Sequence, residues 1–433
     1  MNSTFSLPLP STRQLAWHET PFYGFIHFGP NTFTGREWGY GNEDPAVFNP
    51  TRLDCRQWAR AAREAGMAYL VLTAKHHDGF CLWPSRWTTH SVRSSPWHDG
   101  RGDVVREFVE ACDAEGIGAG LYLSPWDRNR ADYGTPAYCD YYLRQLEELV
   151  TQYGPLAEIW LDCANGGDGW YGGASERRTI DQEHYYPWAD IVALRDRYQP
   201  RALVFNNYGG ADLRWIGNES GTTAGACWAG FHDHWTTEDP DGIALLQSGL
   251  PDGAKWKPAE VDVSIRTEGH WFHHPEDAPL PLERLLRIWK DSVGRGLGLI
   301  LNLPPTREGL LDETDIARLL ELRDATRPFL GPSIAEGVPD ASGAAWTLRL
   351  PEGAACRAAW LEEEISEGQR IAAFVVEHRP FPDAPWREVA RGETVGRRRL
   401  VEFGELLSAG ELRVRVLDSL APPRLAAFRA CRP

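Results

Sequence analysis

The sequence predicts an α/β fold, a (β/α)8-like barrel of the TIM type followed by a small antiparallel β-sandwich. Short apolar runs alternate with amphipathic segments over the first 330 residues, the pattern of repeated βα units. After Gly331 and Pro332 the character changes to short alternating segments separated by proline and glycine. With 433 residues the chain is long enough for two domains, which we place at residues 1–330 and 331–433.

The predicted barrel strands are short apolar runs that end in polar or glycine-rich loops. They are Phe22–Phe28, Ala68–Thr73, Gly118–Leu123, Ala157–Leu161, Ala202–Asn206, Glu260–Ile265 and Gly298–Asn302. A closed barrel needs one more strand, which we expect between Asn207 and Pro258, where periodicity is poor. The loops Gly166–Tyr186 and Ser220–Lys257 exceed ordinary connection lengths, which favours a functional role for them.

Amphipathic segments between these strands predict the outer helices of the barrel. They are Asp54–Ala65, Asp103–Glu115, Tyr138–Tyr153, Pro187–Tyr198, Leu282–Arg295 and the closing helix Leu310–Arg327. In the C-terminal part, period-2 alternation predicts antiparallel strands. These are Ala344–Leu350, Ile371–Glu377 and Glu411–Leu417.

The charge balance excludes whole classes of partner. The formal net charge is −16, and no cluster of lysine and arginine occurs in the first three hundred residues. Nucleic acid and anionic membranes both require a basic surface, so neither is expected to bind. No apolar run approaches the ~18 residues of a membrane helix. The N-terminus MNSTFSLPLPSTRQ has no basic stretch followed by an apolar one, which predicts no secretion signal and a cytoplasmic location.

Cysteine and tryptophan usage adds to this picture. Eight cysteines are scattered without CxxC pairs, which is typical of reduced, buried thiols. The 19 tryptophans favour carbohydrate binding, since indole faces stack on the C–H surfaces of sugars, although core packing accounts for most of them. Homo-oligomerisation is possible from the sequence.

The segment Ala157–Asn165, AEIWLDCAN, is the central candidate for chemistry. It is a short apolar run that ends on one acidic side chain, Asp162. Catalytic groups of such barrels lie at the C-terminal ends of the strands, and Trp160 should share the face of Asp162 because side chains alternate with period 2. The competing interpretation is an aspartate that caps the following loop.

Histidines follow the first two predicted strands. His27 lies at the end of the first, and the second runs into AKHHDGF. His76 and His77 should point to opposite sides in a regular strand, which argues against a shared metal ion. We therefore expect no metal and no cofactor, and interpret the histidines as hydrogen-bonding partners of ligand hydroxyls. A histidine that packs under a loop is an equal alternative for His77.

Later strand ends add further polar and aromatic candidates. LYLSPWD brings Tyr122 toward the same end of the barrel, and RWIGNESG carries Glu219 in a glycine-punctuated loop. Glu260 begins another predicted strand. Two carboxylates among hydroxyl-binding and aromatic side chains are typical of a glycosidase. One carboxylate attacks the anomeric carbon, and the other carboxyl group exchanges a proton with the departing oxygen. A solvated loop glutamate is the alternative for Glu219.

Seven motifs occur in an order that resembles glycoside hydrolase family 29, the retaining α-L-fucosidases. They are GFIHFGPNTFTGREWG, AKHHDGFCLWPS, GLYLSPWD, EIWLDCANGG, RWIGNESG, PAEVDVSIR and LGLILNLPPTREGLL, and they cover the whole barrel. The C-terminal segment also resembles the β-sandwich of that family. Two departures occur: Cys163 stands where relatives typically have glycine, and YGGAD replaces the more usual GPD.

The resemblance implies a catalytic pair and a sugar pocket. Asp162 matches the nucleophile, and Glu219 matches the acid/base of the branch that prefers α-1,3 and α-1,4 fucosyl linkages, with Glu260 as the reserve candidate. The positions matching the fucose pocket are His27, Glu37, Trp38, His76, His77, Tyr122 and Trp160. Trp215 and Phe272 would pack against the C6 methyl group of the sugar. The implied partner is a fucosylated oligosaccharide or glycoconjugate.

Three alternatives to this function remain open from the sequence. The chain could be a non-catalytic fucose-binding protein on the same scaffold, although it retains both carboxylates. It could be a glycosidase of another neutral or deoxy sugar. A metal-dependent hydrolase that uses His76, His77 and Asp78 is the third, and the expected divergence of the two histidines argues against it.

Overall fold

The computed structural model describes residues 6–232, 241–340 and 343–432. Within these ranges the first part of the chain forms a nearly closed barrel of eight parallel strands. In chain order they are β1 Phe22–Ile26, β2 Tyr69–Lys75, β3 Gly118–Leu123, β4 Glu158–Trp160, β5 Leu203–Phe205, β6 Arg214–Trp215, β7 Ala259–Ser264 and β8 Gly298–Asn302. Neighbours in the sheet run β5-β4-β3-β2-β1-β8-β7-β6, which confirms the predicted barrel.

The seam of the barrel lies between β5 and β6. One parallel bridge, Phe205 to Leu213, joins these neighbours among the described residues, and no described helix separates them. The predicted missing strand is therefore β6, which has two residues. Its Arg214 is fully buried and donates to the carbonyl oxygens of Leu246, Trp228 and Lys257, which ties the short strand to the segments beside it.

The helices surround the barrel. Their bounds are α1 Thr12–His18, α2 Pro30–Thr34, α3 Cys55–Glu64, α4 Val104–Glu115, α5 Pro136–Gln152, α6 Gln182–Tyr185, α7 Trp188–Tyr198, α8 Gly242–Ser248, α9 Leu282–Ser292 and α10 Glu313–Leu330. Asp54, Asp103 and Asp312 are N-caps whose carboxylates accept a backbone N–H of the first turn of α3, α4 and α10. Predicted helix starts at Asp54 and Asp103 are thus one residue early.

Short elements occupy the two long loops. A two-stranded ladder pairs Gly167–Gly169 with Glu176–Arg178, and a second pairs Gly230–Phe231 with Lys255–Trp256. Helix α8 lies within the predicted loop Ser220–Lys257, whose residues 233–240 fall outside the described residues. Short 3-10 turns complete the barrel part: Pro45–Val47, Val92–Ser94, Trp97–Gly100, Tyr171–Gly173, Thr267–Gly269 and Val293–Arg295.

The inside of the barrel is packed with large aromatic side chains. Tyr23, Phe25, Tyr122, Trp160 and Phe205 are buried there in one cluster. The Trp160 ring stacks on Phe205 with ring centroids 4.1 Å apart and 8° between the planes. Since these strands close on themselves, their inward-facing side chains fill the barrel and form a floor beneath its C-terminal end.

The chain after α10 forms antiparallel sheets. The strands are β9 Ala335–Glu336, β10 Val338–Pro339, β11 Ala345–Arg349, β12 Ala355–Glu363, β13 Ile371–Arg379, β14 Arg387–Glu393, β15 Arg399–Ser408, β16 Glu411–Ser419 and β17 Leu425–Ala430. One sheet has the order β9-β17-β12-β15 and the other β10-β11-β16-β13-β14. Leu348, Leu361, Phe374 and Phe428 belong to their common buried core. The division at residues 330 and 331 stays a prediction.

Among the described residues, no helix is both long enough and apolar enough to cross a bilayer.

Candidate active site

A cavity of about 230 Å³ opens at the C-terminal ends of the barrel strands. Its size suits one sugar ring, since pockets for larger, drug-sized ligands have ~300–1,000 Å³. The lining residues are Phe25, His27, Trp38, His76, His77, Trp160, Asp162, Cys163, Ala164, Gln182, Phe205, Asn207, Tyr208, Trp215, Glu219, Asp262 and Trp271. The cavity therefore joins strand ends that are distant in sequence.

Asp162 lies in this cavity, two residues beyond the end of β4. Its side chain is 21% exposed. Oδ2 accepts a hydrogen bond of 2.9 Å from the Tyr122 hydroxyl, and Oδ1 accepts one of 2.6 Å from the Ala164 N–H. His77 Nε2 lies 3.7 Å from Oδ2. These contacts fix the carboxyl group and leave part of it open to the cavity.

The surroundings of Asp162 raise its pKa to about 6. Burial is the main cause, and the negative charge of Glu219 acts in the same direction. The hydrogen bonds from Ala164 and Tyr122 oppose this shift because they stabilise the charged form. At neutral pH the carboxylate is therefore mostly ionised.

Glu219 lies at the mouth of the same cavity, on the loop that follows β6. Its side chain is exposed, and Oε2 accepts a hydrogen bond of 3.1 Å from the Trp271 indole. Loss of hydration against the cavity wall raises the pKa of Glu219, and the negative charge of Glu37 raises it further. The hydrogen bond from Trp271 lowers this pKa. Asn218 Oδ1 accepts the N–H groups of Ser220 and Thr222, which holds the loop around Glu219 in a turn.

The histidines at the strand ends line the cavity together. The His76 and His77 ring centroids are 4.2 Å apart, so the predicted divergence of their side chains is wrong. A shift in the pairing of β2 with β3 between Thr73 and Lys75 breaks the alternation just before them, and both residues follow the end of the strand. Strand geometry therefore does not apply at these positions.

All three cavity histidines are held neutral. Burial lowers the pKa of His27 and of His77 to about 3 and that of His76 well below its usual value. His27 Nδ1 is 2.9 Å from Asn302 Oδ1, and His77 Nδ1 is 2.7 Å from Ser124 Oγ. A neutral imidazole held at Nδ1 presents Nε2 to the cavity, where it can exchange hydrogen bonds with hydroxyl groups.

Three of the predicted pocket residues support the cavity without lining it. Tyr122 is buried and bonds to Asp162. Phe272 is fully buried and packs against the rings of His27 and His76, with centroids 5.5 and 5.1 Å away. Glu37 accepts the backbone N–H of Trp271 at 2.6 Å. The predicted lining residues His27, Trp38, His76, His77, Trp160 and Trp215 are brought together.

Asp262 is a lining residue that the sequence analysis missed. It lies on β7, and the Trp215 indole donates to its Oδ1 at 2.7 Å. Burial raises the pKa of Asp262 well above its usual value, and the negative charges of Glu219 and Glu260 add to the effect. Period 2 along PAEVDVSIR could have found it, since Asp262 shares the inward face of Glu260 one layer nearer the mouth.

Other missed lining residues carry weaker signals. Trp271 lies in a loop outside the seven motifs, and Asn207 follows the FN of the fifth strand. Gln182 and Tyr208 stand outside the seven motifs, whereas Phe25 stands in the first of them. Cys163, noted for its departure from the family pattern, lines the cavity beside Asp162.

Glu260 lies below the cavity, inside the barrel. It is fully buried, and its carboxyl oxygens accept hydrogen bonds from the Trp160 indole at 2.7 Å and from the Tyr23 hydroxyl at 2.5 Å. Asp78, the third member of the alternative metal set, is also buried and accepts from Asn31 and the Phe80 N–H. Neither carboxyl group lines the cavity.

Comparisons with known proteins agree along the length of the chain. The family model described as Alpha-L-fucosidase matches residues 16–324. Alpha-L-fucosidase 1 of Arabidopsis thaliana is 38% identical over 97% of this chain and 87% of its own length. A putative α-L-fucosidase 1 of Oryza sativa subsp. japonica is also 38% identical, over 98% of this chain and 84% of its own.

Solved structures share the architecture. A glycoside hydrolase 29 family member from an unknown rumen bacterium has a TM-score of 0.92 and 37% identity, covering 99% of this chain and 78% of that one. A Ruminococcus gnavus GH29 fucosidase in complex with fucose has a TM-score of 0.85 and 25% identity, covering 100% and 97% of the two chains.

Proposed function

Because the chain belongs to the α-L-fucosidase family, glycoside hydrolase family 29, we propose that it is a retaining exo-enzyme that releases terminal α-L-fucosyl residues. The observation that carries this proposal is the position of Asp162 and Glu219 on one sugar-sized cavity. The third carboxyl group of the lining, Asp262, is buried and accepts a hydrogen bond from the Trp215 indole. The two groups are close enough for the charge of Glu219 to raise the pKa of Asp162. A double displacement needs two such groups on opposite sides of one anomeric carbon.

Asp162 is proposed as the nucleophile. With a pKa of about 6 it is mostly charged at neutral pH, and its hydrogen bonds from Tyr122 and Ala164 orient it. A carboxylate oxygen forms a bond to C1 of the fucosyl unit as the C1–O bond to the leaving group breaks. Water then attacks C1 of this ester and releases fucose and the free carboxylate.

Glu219 is proposed as the acid/base. It protonates the departing oxygen in the first step and takes a proton from water in the second. Its raised pKa favours the protonated start, and its exposed position at the mouth suits a group that meets the leaving group. Glu260 is unsuited, because its carboxyl group lies below Trp160 and is occupied by buried donors.

The cavity wall supplies sugar recognition in this proposal. The neutral His27, His76 and His77 offer hydrogen bonds to hydroxyl groups without a charge that would attract an acidic sugar. Trp160, Phe25 and other rings provide apolar surface for the C6 methyl group. A sugar with a hydroxyl group at C6 would place a polar group against this surface. Phe272 contributes through the histidines that it supports.

For the linkage we propose α-1,3 and α-1,4 fucosyl bonds. The proposal rests on the loop RWIGNESG, which resembles the corresponding branch of the family. The acid/base then stands on a loop at the mouth. Trp38, which lines the same cavity and is exposed, offers an aromatic surface to the sugars that follow fucose. The substrate would be a branched oligosaccharide or glycoconjugate.

Two measurements test these proposals. Proton NMR of an aryl α-L-fucoside during hydrolysis should detect α-L-fucose as the first product, and β-L-fucose would reject the double displacement. A panel of fucosylated oligosaccharides should be cleaved faster when fucose is 3- or 4-linked on a branched core. Faster cleavage of the 2-linked substrate would reject the linkage proposal and leave the fucosidase activity intact.

A further inference from the structure

A group of metal-ligand side chains lies beside the cavity. Across residues 6–232, 241–340 and 343–432, the ligand atoms of Glu37, His270 and His274 form the one cluster of His, Cys, Asp and Glu in which three such atoms lie within 4.8 Å of one another. Glu37 belongs to the loop after β1, and the histidines belong to the loop after β7. The two loops lie more than two hundred positions apart in the sequence, so no local pattern predicts that they meet.

We propose that Glu37, His270 and His274 bind one Zn²⁺ ion. Two histidines and one carboxylate are a ligand set that zinc uses when a fourth position is open to water. His274 Nε2 is 3.0 Å from Glu37 Oε1. Two atoms that share a tetrahedral zinc at ~2.0–2.1 Å lie roughly 3.3 Å apart, so this pair is already close to ligand spacing.

The partners of these side chains orient them for a metal. His270 Nδ1 is 2.6 Å from Asp277 Oδ2, which leaves Nε2 as the free ring nitrogen. A carboxylate behind a histidine ligand fixes its orientation and increases its basicity. Glu37 Oε2 accepts the Trp271 N–H, so Oε1 remains for an ion. The imidazole rings of His270 and His274 are stacked, 4.0 Å apart and 23° from parallel, so one ring has to tilt before both in-plane lone pairs reach one ion.

Charge and access also favour a cation. Glu276 Oε1 lies 3.7 Å from His274 Nδ1, so two carboxylates besides Glu37 surround the imidazoles. The side chains of Glu37, His270 and His274 are 28%, 32% and 13% exposed, which gives an ion a path from solvent. The ion would join two loops that carry Trp38 and Trp271 of the cavity wall.

Zinc titration of the chelator-treated full-length protein tests the proposal. Isothermal titration calorimetry should give one saturable Zn²⁺ site per chain. His270→Ala and His274→Ala should each weaken it by at least ~10-fold, and Asp277→Asn, which keeps all three ligands, should weaken it by ~10–100-fold. His184→Ala is the matched control, since its imidazole also contacts an aspartate, Asp181, at 3.0 Å on the surface, and binding should be unchanged.

Cobalt distinguishes this site from the cysteines. Co²⁺ bound at Glu37, His270 and His274 should give visible bands without thiolate charge-transfer absorption, whereas binding at the partly exposed Cys139 or Cys163 would produce that absorption. Circular dichroism and Tm of each variant check its folding. Absence of a stoichiometric site, thiolate absorption, or unchanged affinity in both histidine variants would overturn the proposal.

Discussion

Asp162 and Glu219 lie above the Trp160 indole, in the cavity, whereas Glu158 and Glu260 lie below it, inside the barrel. Glu158 and Trp160 lie on β4 and Asp162 two residues beyond its end, so the three side chains continue one period-2 series and leave on the same inward face at successive depths. Both lower carboxyl groups are fully buried. Burial raises the pKa of carboxyl groups on both sides of the ring.

The two pairs differ in what surrounds them. Below the ring, hydroxyl and indole donors hold the carboxyl groups: Tyr69 donates to Glu158 at 2.8 Å, and Tyr23 and Trp160 donate to Glu260. Above it, Asp162 and Glu219 retain open surface in a cavity that can take a ligand. A raised pKa alone therefore does not identify a catalytic carboxyl group. The two pairs differ in whether a bound substrate can reach them.

Asp162→Asn should have the largest effect on activity. We expect kcat for an aryl α-L-fucoside to fall by more than ~10³-fold, since loss of a nucleophile has cost as much or more in other hydrolases. The amide is isosteric, so the far-UV spectrum and Tm should indicate a folded protein. Near-native turnover by this variant would reject Asp162 as the nucleophile.

Glu219→Ala should have the next largest effect. Loss of general acid/base catalysis costs ~10²–10⁴-fold in rate. Azide should restore part of the turnover and give α-L-fucosyl azide, because it replaces water in the second step without needing a base. If azide rescues Glu260→Gln and leaves Glu219→Ala inactive, the assignment of the acid/base is reversed.

A third test addresses the lower pair through stability. Glu260→Leu leaves the Trp160 indole and the Tyr23 hydroxyl without an acceptor, and each unpaired buried group costs ~1–3 kcal/mol. We expect Tm to fall by several degrees. Glu260→Gln retains a carbonyl acceptor and should lose much less. Equal Tm values for the two variants would contradict a structural role based on these hydrogen bonds.

The smallest expected effect is a shift in pH dependence. The acid limb of kcat/KM should lie near pH 6, because activity falls as Asp162 becomes protonated below its pKa of about 6. The Tyr122 hydrogen bond lowers that pKa, so Tyr122→Phe should move the acid limb of kcat/KM to higher pH. If the acid limb of Tyr122→Phe stays at the same pH, the titration that it reports does not belong to Asp162.

Much of the barrel could be predicted because its strands are apolar runs with clear ends. β3 and β8 have the predicted bounds, and Glu158–Trp160 lies inside its prediction. The two-residue strand Arg214–Trp215 could be predicted only as a gap, since two residues form no periodic pattern. The closing helix begins at Glu313, three residues later than predicted, because Asp312 caps it.

The site could be predicted where a motif ends a strand and not where loops meet. Asp162 and Trp160 follow from the alternation along β4. Regular strand alternation predicts that His76 and His77 diverge, but the pairing of β2 with β3 shifts just before them and both side chains line the cavity. Glu37 and Trp271 are more than two hundred positions apart, and their hydrogen bond depends on the path of two loops that carry no periodic signal.

The single bridge at the seam has a consequence for the history of this fold. The segment from Asn206 to Leu213 closes the seam through one bridge and a few hydrogen bonds at its ends, so a change in the length of its middle would leave the pairing of β1 to β5 in register. The neighbouring wall, with Asn207, Trp215 and Glu219, can diversify while β1 to β4 keep the nucleophile in place. New substrates can thus be acquired by remodelling one side of the barrel.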